Sequence, residues 1–374
     1  MAHLRTSARR QAGLSLVELM IALTIGLLLM VGLTLVFVNS SEANRELQKT
    51  AQQIENGRYA TDIITQDLHH AGFFGHFYDM ASIAAAASPD PCATTAADLM
   101  AAIPTPVQGI RAADLATRPV VTATTCDDKG LLTNANLRPG SDILVVRRAS
   151  TVPLAVGVTA PTNEVYVQAN GVVAQVQLGA NNQYAAGQKA DGNAATIFFK
   201  DGVTAAPIRK YIVHVYFVAP CSVGTGPKGV CQAGDDSIPT LKRLELGPVG
   251  GATDMNLVPL VEGIEYLKVE YGIDPFDETG ATAVSIITGQ TGDASVDSYT
   301  TAPGDWTQVI GARVYILARN TLPTSGFVDD KSYVLGSAPL TVTPAIYAGS
   351  EGFRRHAFTS AIRLSNVAGR REIP

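Results

Sequence analysis

The chain has 374 residues, 46% of them hydrophobic and 16% charged, which excludes a disordered polyelectrolyte and leaves enough apolar mass for a sizeable core. Its formal net charge is −5, and removing the first 13 residues, which carry Arg5, Arg9 and Arg10 and no acid, leaves 25 basic against 33 acidic side chains. No basic stripe runs through the sequence, so nucleic-acid binding is excluded as a function class.

From Leu19 to Val38 run 20 residues without a charge. At about 1.5 Å of rise per helical residue the run is about 30 Å long, the thickness of a bilayer core. The small-residue break Ala12-Gly13 precedes the run, whereas a secretory signal peptide carries its cleavage site after a shorter apolar core. Arg5, Arg9 and Arg10 hold the N-terminus in the cytoplasm, so everything after Val38 is expected to be exported. Glu18 does not suit a plain anchor, because a carboxylate at the centre of a spanning helix costs about 2.5–3.5 kcal/mol and less near an interface. It can sit at the headgroup level of an isolated chain. It can also pair with a neighbour: cleavage after Gly13 frees the amine of Leu14 one helical turn away. When such helices pack together out of water, that amine can satisfy a neighbour's Glu18 and fix axial register.

The segment Arg9-Arg10-Gln-Ala-Gly-Leu-Ser-Leu-Val-Glu-Leu-Met-Ile-Ala-Leu23 resembles the class III signal of type IV prepilins and type II secretion pseudopilins. The resemblance implies a prepilin peptidase that cuts after Gly13 and methylates residue 14, a leucine here where phenylalanine is usual. It also implies a single-pass inner-membrane protein of a Gram-negative cell, with a periplasmic head.

Beyond the apolar run, Ala43, Leu47, Thr50, Ile54, Gly57, Thr61, Ile64, Leu68 and Ala71 recur at alternating spacings of four and three, one face of a helix. The charged residues, Asp67 among them, are placed off that face. With no proline before Pro89, one helix is expected to run to a C-cap near Gly72. The segment Asp67-Leu-His-His-Ala-Gly-Phe-Phe-Gly75 then resembles a signature of the PilW family of minor pilins, with His76 where relatives often have a cysteine. Because Gly72 and Gly75 interrupt the helix, His69, His70 and His76 are read as surface residues and no metal is expected there.

Residues 81–106, rich in Ala and Pro, read as a surface insertion with little regular structure. Strand-like segments follow at 142–147, 164–168, 172–178, 195–199, 211–218 and 241–246, and their spacing suggests antiparallel β structure with long loops. His214, inside one of them, is read as a core or face residue. None of Cys92, Cys126, Cys221 and Cys231 forms a CxxC pair. Two disulfides suit an exported chain. Cys221 and Cys231 flank a Gly-rich loop and leave Cys92 for Cys126, the alternative being four buried free thiols.

The block Leu260-Val-Glu-Gly-Ile-Glu-Tyr-Leu-Lys-Val-Glu-Tyr-Gly-Ile-Asp274 and segments 306–319 and 354–366 again resemble PilW, with GspJ-like pseudopilins sharing the layout. Alternation of Val314, Ile316 and Ala318 with Tyr315, Leu317 and Arg319 suits a strand buried on both faces. Carboxylates at Asp274, Asp277 and Glu278, at Asp235 and Asp236, and at Asp293 and Asp297 are read as turn residues, with calcium as the alternative at the first group.

The fold class expected is α+β, a long N-terminal helix with a large antiparallel β head. The domain plan is a leader at 1–13, a membrane-spanning part at 14–38 and an amphipathic continuation at 39–72. The head occupies 73–374, with a loop-rich insertion at about 80–140. No catalytic motif such as GxSxG, HExxH or a P-loop is present, so neither an enzyme nor a cofactor is expected. The resemblance implies a non-catalytic minor pilin that primes assembly and resides near the fibre tip, with a minor pseudopilin of type II secretion as the alternative. Its implied partners are the prepilin peptidase, other minor pilins, the major pilin, the inner-membrane pilus platform and a tip adhesin.

Overall fold

The computed structural model describes residues 13, 15–121, 126, 129–155, 158–179, 197–277, 279–282, 291–336, 341–346 and 349–372. Residues 1–12 of the leader and Leu14 lie outside the described residues, as does Glu278. Two compact units are present, Met1–Ala51 and Gln52–Pro374.

Among the described residues of the first unit the single element is the N-terminal part of α1 (Leu16–His70). Leucine, methionine and alanine keep their rotamer freedom in a helix, and no proline interrupts them. The helix includes a window long and apolar enough to cross a membrane, and every side chain of that window is exposed.

The second unit begins with the last turns of α1, which end at His70 just before Gly72, at a φ of 73° where a side chain would be strained. The face turned to the head is Gln53, Gly57, Ala60, Ile64, Asp67 and Leu68, whereas Ile54 is 40% exposed. The expected face therefore drifts by one residue. A 3.5-residue pattern slips against the helical 3.6, and polar Gln53 and Asp67 are drawn inward by specific partners. Gly57 is needed where it stands: a Cβ there would lie 2.0 Å from Cε2 of Phe358.

Among the described residues all strand pairings are antiparallel. A seven-stranded sheet runs β1 (Val107–Ile110), β2 (Ile143–Pro153), β5 (Ile208–Ala219), β3 (Val165–Ala169), β4 (Ala174–Leu178), with β6 (Thr240–Val249) joined to β5 and β7 (Ala252–Glu262) to β6. A four-stranded sheet has the order β13 (Arg355–Arg363), β10 (Val309–Arg319), β8 (Ile264–Ile273), β9 (Ser298–Thr300). β11 (Tyr333–Val334) and β12 (Thr341–Val342) form a small ribbon.

The period of two decides where each core sits. On β2, Ile143 and Val145 join one core with Cys92, Leu99 and Phe217, while Leu144 and Val146 join a second with Ile64, Leu68, Val269 and Ile316. β10 is likewise covered on both faces: Val314, Ile316 and Ala318 enter the second core, and Leu317 packs with Tyr266 and Leu335. The Ala- and Pro-rich stretch is not a mere surface insertion. It contains the short helix α2 (Ala96–Ala101) and buries Cys92, Leu99 and Ile103. Only 197–199 of the expected strand at 195–199 are described, and Phe198 makes an isolated bridge to Ala205.

Candidate functional site

The N-terminal candidate residues stand at the start of α1. Gly13 is exposed and precedes the helix. Ser15 N–H donates to Glu18 Oε2 at 3.0 Å, and Val17 N–H donates to Ser15 Oγ at 3.3 Å. This is a capping box: the motif Ser-x-x-Glu satisfies amides that the first turn leaves without helical partners, and the carboxylate faces the positive end of the helix dipole. The Ser15-Leu-Val-Glu18 spacing is legible in the sequence as a capping signal, in addition to the charge of Glu18. After Glu18 come Leu19 to Val38, with large side chains exposed by half or more, from Val38 at 51% to Phe37 at 74%.

Within the head, α1 is anchored by Asp67. Its Oδ1 accepts from Arg148 Nε at 2.7 Å on β2, and its Oδ2 accepts from Tyr216 Oη at 3.0 Å and lies 2.6 Å from His214 Nδ1, both on β5. Burial alone would raise the Asp67 carboxyl, but His214 and Arg148 hold it down at about 2. The expectation that Asp67 sits off the packed face is overturned, because three donors on neighbouring strands make burial of a carboxylate tolerable. Gln53 adds a second tie, donating from Nε2 to the carbonyls of Ala318 and Arg354.

β8 carries three further buried charges, Glu265, Lys268 and Glu270. Glu265 Oε2 accepts from Arg355 Nε at 2.6 Å and Oε1 from Arg138 at 2.9 Å, and Arg319 stands 3.8 Å away. Burial acts to raise this carboxyl, and the arginines bring it below its ordinary range. Lys268 donates to Asp142 at 2.5 Å, and Glu270 accepts from Tyr315 Oη at 2.8 Å. Gly263, between β7 and β8, has a φ of 77°, and a Cβ on it would meet the Arg319 carbonyl at 2.5 Å, so the chain passes from one strand to the next at this one glycine.

The acidic loops are occupied by their own amides. Asp274 accepts from the N–H groups of Asp293 and Ala294, Asp277 from those of Thr279 and Ala281, and Asp236 from those of Ser222, Val223 and Ile238. Among the described residues no group of three His, Cys, Asp or Glu side chains is arranged to hold a metal ion. His70 Nδ1 lies 2.8 Å from its own turn's Gln66 carbonyl, and His76 packs edge-on to Phe199. Two disulfides close the head: Cys92–Cys126 with Cα atoms 5.1 Å apart, and Cys221–Cys231 with Cα atoms 5.8 Å apart.

Residues 8–34 match the prokaryotic N-terminal methylation motif, and residues 215–366 match the model of the type IV pilus-assembly protein W family, PilW. The second match begins within β5 and continues through β13, taking in Glu265, Arg319 and Arg355 but not Arg138. Among solved structures, a type IV-like pilin from Thermus thermophilus is similar over 41% of this chain and 78% of its own, at 16% identity and a TM-score of 0.18. No curated protein matches the chain.

Proposed function

We propose that this pilin-like chain, with a PilW domain behind an N-terminal methylation motif, is a minor pilin of a type IV pilus that primes assembly and stays at or near the fibre tip. The observation that carries the reading is an exposed apolar helix, Leu16 to Val38, with a single carboxylate, Glu18, in its first turn. A prepilin peptidase cuts between Gly13 and Leu14, and the leader at 1–13 is lost. Residues 14–38 wait in the inner membrane with the N-terminus cytoplasmic and the head at 73–374 periplasmic. Neighbouring apolar helices then replace lipid around the segment, and the new Leu14 amine of one subunit neutralises Glu18 of the next. Other minor pilins, the major pilin, the assembly platform and a tip adhesin are the partners. The role is mechanical and no catalytic step is assigned. The large head with two cross-linked loops favours a terminal place in the fibre, where bulk does not obstruct a repeat.

Mature N-terminal mass tests this reading in cells with and without the prepilin peptidase. A product beginning at a methylated Leu14, seen only with the peptidase, is expected; a chain that still begins at Met1 in both strains overturns it.

A further inference from the structure

Lys242 on β6 is 1% exposed, and among the described residues its ammonium hydrogen-bonds only to disulfide sulfurs, Cys231 Sγ at 3.4 Å and Cys221 Sγ at 3.7 Å. A disulfide sulfur is a poor acceptor, whereas a thiolate is a full opposite charge. Asp235 and Asp236 attract Lys242 through space, but their oxygens hold the loop itself: Asp236 accepts from Ser222 and Val223, and Asp235 from Thr225 and Gln232. These bonds tie the two ends of the Ser222–Val230 loop independently of the sulfurs. Opening the cross-link therefore leaves both cysteines close to one another and to a buried cation.

We propose that Cys221–Cys231 is an exchange-active disulfide whose reduced form is stabilised by Lys242, a positioning residue, and that its reaction partner is a dithiol. The dithiol's thiolate bonds to one cysteine sulfur as the Cys221–Cys231 bond breaks, and the electron pair leaves on the other sulfur, beside Lys242. The second thiol of the partner resolves the mixed disulfide, so two electrons and two protons pass to the protein and the dithiol becomes a disulfide. A leaving thiolate of lowered pKa departs faster, and the same stabilisation favours the reduced pair at equilibrium. Both sulfurs are nearly inaccessible, so exchange runs through a transient swing of the Ser222–Val230 loop, whose Val223 is 69% exposed. Burial moves the Lys242 ammonium below the usual lysine range, against the pull of Asp236 and Asp235, consistent with a cation short of a partner.

The test is equilibration of the full-length protein, in detergent, with graded dithiothreitol redox buffers, followed by alkylation and mass analysis of each cysteine pair. In Lys242→Met, reduction of Cys221–Cys231 is expected to need about tenfold more reductant, while Lys242→Arg stays near the wild type. The pH profile of alkylation should place one thiol of the reduced pair below about 7.5 in the wild type and near about 8.5 in Lys242→Met. Unchanged equilibrium and unchanged pH profile in Lys242→Met overturn the proposal, as does an equal shift of Cys92–Cys126. Should Lys242→Met not fold, Lys242→Gln is read by the same two criteria.

Discussion

Nδ1 of His214 lies 2.6 Å from Oδ2 of Asp67, which joins a central strand of the large sheet to the last turn of the N-terminal helix. With Arg148 on the adjacent strand, this pair makes the helix terminus part of the head's own core. The carboxyl is held at about 2, below its ordinary 3.8. A depressed folded-state pKa contributes stability above the unfolded value, and that contribution is lost as pH falls through the folded value. Asp67→Asn is therefore expected to cost about 2 kcal/mol at neutral pH. The difference from wild type should shrink between pH 4 and pH 2, the window set by those two values. Chemical denaturation of the full-length protein as a function of pH measures it; a cost that persists undiminished at pH 2 would show that packing, and not charge, dominates.

Glu265 should be the most sensitive acid on β8. Replacing it by glutamine leaves Arg355, Arg138 and Arg319 without their shared anion in a water-poor site. Breaking one side of a buried ion cluster costs about 3–5 kcal/mol. Glu262, exposed at the end of β7, serves as the control. Its glutamine variant should unfold within experimental error of the wild type, and equal losses at both positions would contradict the assignment.

Gly57→Ala opposes two effects. Alanine favours a helix interior by about 1 kcal/mol, yet its methyl would enter the space of the Phe358 ring. Overpacking of this kind costs about 1–3 kcal/mol, so a net loss of stability is expected. Adding Phe358→Leu should recover part of that loss, and thermal denaturation of the two single variants and the double variant closes the cycle. Simple additivity would mean that the ring moves aside freely.

Glu18 has two separable duties in the proposed function, capping and charge. Glutamine can still receive the Ser15 amide in a capping box, whereas alanine cannot. Glu18→Gln and Glu18→Ala should both keep leader cleavage and membrane insertion but lose co-purification with partner pilins. If Glu18→Gln co-purifies like the wild type, the residue acts as a helix cap and not as a charge in assembly.

Much of this was legible along the chain because it depends on local order. An uncharged run of bilayer length, a leader charge, a glycine and an offset glutamate are neighbours in sequence, and their chemistry needs no tertiary contact to be read. The continuous helix, the β-rich head and the two-sided burial of β10 also follow from periodicity. Periodicity could not say that Asp67 turns inward, since that depends on donors from residues 148, 214 and 216 that only sheet pairing brings together. The same holds for Glu265, whose arginines come from three distant segments, and for Lys242, placed on two sulfurs by the pairing of β5 with β6. The sequence by itself determined the kind of helix and the kind of head. Tertiary structure decided which charges are buried, because the cost of removing a charge from water is met only by partners that folding assembles.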